Sequence, residues 1–235
     1  MLTIVFDLDG TLVDTAPDLI DTLNHTLKQH GLPVVPFETA RPTIGGGARA
    51  MIETALASRG RECAPTDVDQ LYAAFVAHYG EHIAARSRPF PYVEAALDRL
   101  AAAGYRMAVC TNKLEWLSKR LLDALHLSER FAAICGQDTF GVIKPDPKMF
   151  RLTVERAGGQ ATRAVMVGDS VTDIRTARAA QVPVVAVDFG YTPVPIASLR
   201  PDHVISSFAQ LPAAVSALDP GKNMMDDQHF VGHKS

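Results

Sequence analysis

The chain has 235 residues, 47% of them hydrophobic and 21% charged, with a formal net charge of −3. That balance suits a protein with a sizeable core and argues against global disorder and against a broad nucleic-acid-binding surface. The three cysteines, Cys63, Cys110 and Cys135, lack CxxC spacing and read as small apolar residues. With no secretory signal pattern and no apolar run of ~18 residues, the expectation is a cytoplasmic protein with no membrane partner.

The first strand, Thr3–Phe6, lies in "LTIVFDLDGTLVDT" and runs straight into Asp7, Leu8, Asp9 and Gly10. From Pro17 to about Arg86 the periodicity is helical: Leu19, Leu23 and Leu27 share one face, as do Met51, Ile52, Ala55 and Leu56. Val68, Leu71, Phe75, Val76 and Tyr79 mark a long amphipathic helix with an expected N-cap around Thr66 and Asp67. After Pro89, short β-rich runs (Tyr105–Thr111, Ala132–Cys135, Ala164–Asp169, Val182–Asp188) alternate with helical ones, and His203–Ser206 adds an expected edge strand. This alternation favours an α/β fold with a doubly wound, Rossmann-like parallel sheet. The expected organisation is a catalytic core of residues 1–14 and 88–218, an inserted helical cap of 15–87, and a flexible tail of 219–235.

In an open parallel sheet, ligands bind beyond the carboxyl ends of the strands. The first strand delivers Asp7 and Asp9 there, the second Thr111 and Asn112, and "GDSVTD" delivers Asp169 and Asp173, while Lys144 follows the third. Like charges ~4 Å apart repel by roughly 4 kcal/mol at an effective dielectric of 20, so such a cluster protonates or recruits a cation. Oxygen-only ligands favour a hard ion, and few protein ligands favour Mg²⁺. An ion of that kind with Lys144, a threonine hydroxyl and helix-start amides suits a phosphate. One aspartate could then attack phosphorus while the other moves protons.

At these residues the sequence resembles the haloacid dehalogenase superfamily, whose four motifs are matched by "DLDGT" (Asp7–Thr11), "CTN" (Cys110–Asn112), "KPDP" (Lys144–Pro147) and "GDSVTD" (Gly168–Asp173). The resemblance implies Asp7 as nucleophile, Asp9 as general acid and base, and Thr111 and Lys144 as phosphoryl ligands. It implies Mg²⁺ held by Asp7, the Asp9 carbonyl and Asp169, with Asp173 in support. It also makes the helical insert a mobile cap that closes over the site. "RPTIGGGARAMIETAL" (Arg41–Leu56) looks like the phosphoglycolate phosphatase subgroup. There Gly45, Gly46 and Gly47 could present amides to a small anion, and Arg41 or Arg49 could pair with a carboxylate.

The expected partner is a small phosphorylated metabolite, with no nucleic acid, bound to a monomer or homodimer. Sugar phosphomutation and pyrophosphate or nucleotide hydrolysis are the alternatives within the superfamily; a silent regulatory protein would be expected to have lost a motif residue, and none is lost. A phosphonate-cleaving relative would need a cap lysine, and the chain has none between Lys28 and Lys113. His78 and His82, at i and i+4, read as a polar helix face, as do His229 and His233 in the tail. Trp116 reads as a packing residue.

Overall fold

The computed structural model describes residues 1–57 and 65–219. Cys63 and the tail from residue 220 on, with His229 and His233, lie outside the described residues.

Six parallel strands form the central sheet: β1 (Thr3–Phe6), β4 (Arg106–Cys110), β5 (Ala133–Cys135), β6 (Ala164–Gly168), β7 (Val184–Val187) and β8 (His203–Ile205). Their order is β5-β4-β1-β6-β7-β8, with β1 flanked by β4 and β6. Strands covered on both faces read as continuous apolar runs, as β1, β6 and β7 do here. Alternate residues split between the faces. Ile4, Phe6, Val165, Val167, Val185 and Val187 join one buried cluster, and Val5, Ala108, Met166, Val184 and Ala186 the other. Helices α7 (Pro147–Arg156) and α8 (Val171–Ala180) cover the second face. Helices α5 (Val93–Ala102), α6 (Glu115–Ala124) and α9 (Leu211–Leu218) contribute to the first cluster.

A short antiparallel ribbon, β2 (Val13–Asp14) with β3 (Arg88–Pro89), brackets the helical segment. Between its strands stand α1 (Ala16–Gln29), α2 (Phe37–Ala40), a 3₁₀ stretch (Arg41–Gly46), α3 (Gly47–Ala57) and α4 (Pro65–Glu81). Helix α1 carries Pro17 in its first turn, where a missing N–H costs nothing, and buries Leu19, Leu23 and Leu27. Helix α4 starts at Pro65, just ahead of the N-cap expected at Thr66 and Asp67.

The two chain passages through the ribbon are tied together by Asp18. Its buried carboxylate accepts from Arg86 N at 3.0 Å, Ser87 N at 2.7 Å and Ser87 Oγ at 2.6 Å. Tyr191 adds a second tie from the sheet side. Its hydroxyl accepts from Thr15 N at 2.7 Å and Ala16 N at 3.0 Å and donates to Asp14 at 2.7 Å. Among the described residues, no helix is long and apolar enough to cross a membrane.

Candidate active site

Strand β1 is the point where the sheet order reverses, β4 lying to one side and β6 to the other. Crevices form at such points, and the loops after β1, β4, β5 and β6 carry every core residue singled out from the sequence. Asp7 continues β1, its N–H donating to Val167 O at 2.9 Å. Asp7 Oδ1 accepts from Leu8 N at 2.7 Å and stands 2.9 Å from Lys144 Nζ.

Lys144 is fixed at both ends. Asn112 clamps its backbone, with Oδ1 accepting from Lys144 N at 3.0 Å and Nδ2 donating to Lys144 O at 3.2 Å. Its buried ammonium bridges Asp7 and Asp173, at 2.9 and 2.7 Å. Asn112, expected to bind substrate, here positions Lys144. Thr111 is buried beside it, its Oγ1 accepting from Lys113 N at 3.3 Å.

Asp173 closes a capping box at the start of α8. Its Oδ2 accepts from Ser170 N at 3.1 Å and Ser170 Oγ at 2.6 Å, while Oδ1 faces Lys144. Both oxygens of this carboxylate thus have partners. Asp169 directly follows β6, accepting from Thr11 Oγ1 at 2.9 Å and Tyr191 N at 2.8 Å. Two glycines let the chain pass this close. A Cβ on Gly190 would fall 2.2 Å from Asp169 Cβ, and one on Gly10, whose φ is +83°, would fall 2.7 Å from Asp169 Oδ2.

One oxygen from each of Asp7, Asp169 and Asp173 lies within 4.8 Å of the others. Burial pushes Asp7 up to about 7, Lys144 pulling it back only in part and Asp173 adding to the rise. Burial likewise lifts Asp169 to about 8, helped by Asp173 and Asp7. Burial works against the Lys144 ammonium, but Asp173 and Asp7 outweigh it and raise its pKa. Three carboxylates against one ammonium leave two negative charges in a desolvated space, the balance that a hard divalent cation with oxygen ligands neutralises. The donor set fits a hard divalent cation.

Asp9 is placed differently. Its Oδ2 lies 3.1 Å from Lys113 Nζ, and its Oδ1 is buried without a hydrogen-bond partner. Lys113 is buried too, its ammonium 4.5 Å from the ring centroid of Tyr79 on α4. Lys113 directly follows "CTN" in the sequence but has no motif signal of its own.

The glycine loop reaches the core. A Cβ on Gly45 would be 3.3 Å from Ser170 Cβ, and one on Gly47, at φ +85°, would be 2.9 Å from Asn112 O. A Cβ on Gly46 would instead meet Ala50, 2.8 Å away on α3. The two arginines point elsewhere. Arg41 donates to Gly190 O at 2.9 Å and lies over the Tyr191 ring. Arg49, expected to contact substrate, is paired at 2.7 Å with Asp69 on the outside of the helical segment, both side chains about half exposed or more at 47% and 64%. Trp116 packs against the helical segment. It is 44% exposed, its ring laid across Gly80 of α4, where a Cβ would be 2.8 Å from it. His78 stacks on His82 at 4.2 Å and on His25 at 3.8 Å.

Among the described residues, cavities lie between the helical segment and the sheet, two of them beside the site. One of about 110 Å³ opens beside Asp169, lined by Gly45, Gly46, Ser170 and Tyr191. The other, about 20 Å³, is lined by Asp9, Gly47, Tyr79, Asn112, Lys113 and mainly apolar side chains. A water molecule fits in the smaller one, but not a metabolite.

A strand-end nucleophile candidate, a clamped lysine and an oxygen-only cation site together define a phosphoryl-handling site at the edge of a doubly wound sheet. The family model for haloacid dehalogenase-like hydrolases matches residues 4–187, and the chain belongs to that family. It is similar to the phosphoglycolate phosphatase of Mesorhizobium japonicum, 51% identical over 88% of this chain and 92% of that protein. The phosphoglycolate phosphatase of Agrobacterium fabrum is 48% identical over 90% of this chain and 91% of the relative. Among solved structures, that of a predicted phosphoglycolate phosphatase from Haemophilus somnus 129PT superposes with a TM-score of 0.85 at 32% identity, covering 92% of this chain and 98% of that one.

Proposed function

We propose that this chain is a Mg²⁺-dependent phosphomonoesterase that hydrolyses 2-phosphoglycolate to glycolate and phosphate through an aspartyl-phosphate. The observation that carries the reading is the bonded chain Asp7–Lys144–Asp173, with Asp169 beside it and Asp9 two residues on. The substrate choice rests on the relatives at 51% and 48% identity that bear that activity in their names.

In the proposed reaction an Asp7 oxygen attacks phosphorus, and the bond from phosphorus to the glycolate oxygen breaks. Asp9 in its acid form gives the departing oxygen a proton. Water then attacks the phosphorus of the acyl phosphate, Asp9 takes the water's proton, and inorganic phosphate leaves with Asp7 regenerated. Lys144 and the Thr111 hydroxyl bind the phosphoryl oxygens, and Asn112 keeps Lys144 in place. Asp7, Asp169 and the Asp9 carbonyl would hold Mg²⁺, with Asp173 behind Lys144. The ion supplies charge neutralisation for the crowded carboxylates and the phosphoryl group. Residues 15–87 would act as the cap, opening to admit substrate and closing to exclude water.

The test is a screen of phosphorylated metabolites with Mg²⁺, ranked by kcat/KM and read as phosphate release. Phosphoglycolate should head the ranking, and chelation should abolish turnover. An isomerised sugar phosphate in place of released phosphate would instead mark a mutase.

A further inference from the structure

The two buried lysines of the site are used differently. Lys144 already meets two carboxylates, at 2.9 and 2.7 Å, and in the proposed reaction its remaining donor goes to the phosphoryl group. Lys113 has one carboxylate partner, Asp9 at 3.1 Å, and the face of Tyr79. An ammonium carries three donors, so Lys113 retains capacity to bind a further oxygen. Among the described residues it is the sole cation lining the smaller cavity, which would take a substrate only with the cap opened and whose other walls include Leu19, Ile44, Met51 and Phe75. The arginines that could have met an anion are committed elsewhere, Arg49 to Asp69 and Arg41 to backbone carbonyls.

We propose that Lys113 is the specificity-determining residue that binds an anionic group on the leaving alcohol, resting on Asp9 until substrate displaces it. This deepens the phosphatase reading and rests on it. In that reading Asp9 protonates the ester oxygen, and Lys113 Nζ lies 3.1 Å from Asp9. An anion on Lys113 and an ester oxygen on Asp9 are therefore held by neighbouring groups, each at a hydrogen-bond length of about 2.8 Å. A short alcohol, with one or two carbons between its oxygen and its anion, can reach both. Taking Lys113 also frees Asp9 Oδ2 to face the ester oxygen. The apolar walls disfavour an unpaired charge, so an alcohol of the same length without an anion leaves the lysine poorly served. Tyr79 places one side of this recognition site on the cap, so that recognition and closure coincide.

The experiment compares kcat/KM for phosphoglycolate and for ethyl phosphate, which puts a methyl group where the carboxylate was, in the wild-type enzyme and in Lys113→Met. Wild type should prefer the carboxylate, and Lys113→Met should shrink that preference by about 10- to 100-fold, the worth of a hydrogen bond to a charged group. An unchanged preference overturns the assignment. So does an equal fall for both esters, which would make Lys113 a positioning residue for Asp9. A second measurement uses the wild type alone: glycolate should inhibit aryl phosphate hydrolysis at concentrations where ethylene glycol does not. Equal inhibition by the two overturns the assignment even where the variant fails to fold. Hydrolysis of none of these esters with Mg²⁺ sinks the phosphatase reading and takes this inference with it, whereas hydrolysis without charge discrimination sinks the inference alone.

Discussion

The two halves of the site differ in how completely their polar atoms are bonded. On the Lys144 side, Asp173 has both oxygens occupied, Lys144 is held at backbone and ammonium, and Asp169 sits between Thr11 and the Tyr191 amide. On the Lys113 side, Asp9 leaves one oxygen without a partner, Lys113 has a single carboxylate, and an aromatic ring from α4 completes the surroundings. The first half is preorganised by the sheet and the helix start. The second is assembled from two parts of the molecule. Preorganised groups stabilise developing charge without reorganising, whereas substrate selection tolerates, and uses, a group that changes partners.

The sharpest way to break this contrast is Asp7→Asn. If the bonded half carries the chemistry, kcat should fall by about 10³-fold or more, because the covalent path is lost. The fold should persist, since the change removes one of several crowded carboxylates and keeps the shape. Steady-state kinetics with a thermal melt checks both points, and turnover within tenfold of wild type would break the assignment.

Next in size is a change at the join between the halves. Asp18 carries the hydrogen bonds that hold the two passages of the ribbon together, and it is buried. Asp18→Ala leaves the amides of Arg86 and Ser87 without that acceptor, at a cost of about 2–4 kcal/mol. Urea unfolding should show a lower midpoint with an unchanged slope.

The bonded half also sets a pH dependence. Asp7 and Asp169 are raised by burial to about 7 and about 8, above their ordinary 3.8. A raised carboxyl binds its proton more tightly in the folded state. Its stabilising contribution is therefore full below pH 3.8 and is lost as pH rises through 7 and 8. Metal-free protein should lose stability over that window. Mg²⁺, which binds the deprotonated carboxylates, should raise the melting temperature more at pH 8 than at pH 5.5. An equal Mg²⁺ shift at both values would separate the ion from these two groups.

The same contrast governs what the sequence made legible. Asp7, Asp169, Lys144 and Asp173 were readable because strand ends in a parallel sheet converge on one edge, so their spacing along the chain translates into proximity. The strands themselves were readable as apolar runs of β-formers. Lys113 was not, because its meaning comes from Tyr79 and Asp9, contacts made across the fold that no local pattern encodes. Tyr191 and Asp18 were missed for the same reason, since each ties segments far apart in sequence. The two-residue strands β2 and β3 were too short to show a period. Trp116 was readable as a packing residue, but not its partner, since it lies on Gly80 of another helix and stays partly open to solvent.

The smallest expected effect is the most discriminating for the second half. From the sequence, Arg41 or Arg49 could be the partner of a substrate carboxylate, Arg49 being the one expected to bind substrate. The structure separates them by what each already touches. Arg49 bonds Asp69 across an exposed surface, a pair worth about 0–1 kcal/mol, and its guanidinium lies 5.0 Å from the centroid of Tyr72. Tyr72 in turn accepts from Gln137 Nε2 at 2.8 Å, linking α4 to the loop after β5. Arg49→Ala should therefore act only weakly, through Tyr72, and change kcat/KM for phosphoglycolate by about twofold or less, where loss of a direct carboxylate contact would cost about tenfold or more. A large loss in Arg49→Ala alongside a small one in Lys113→Met would move recognition from the buried lysine to the outer face of the helical segment, and the contrast between the halves would have to be redrawn around that face.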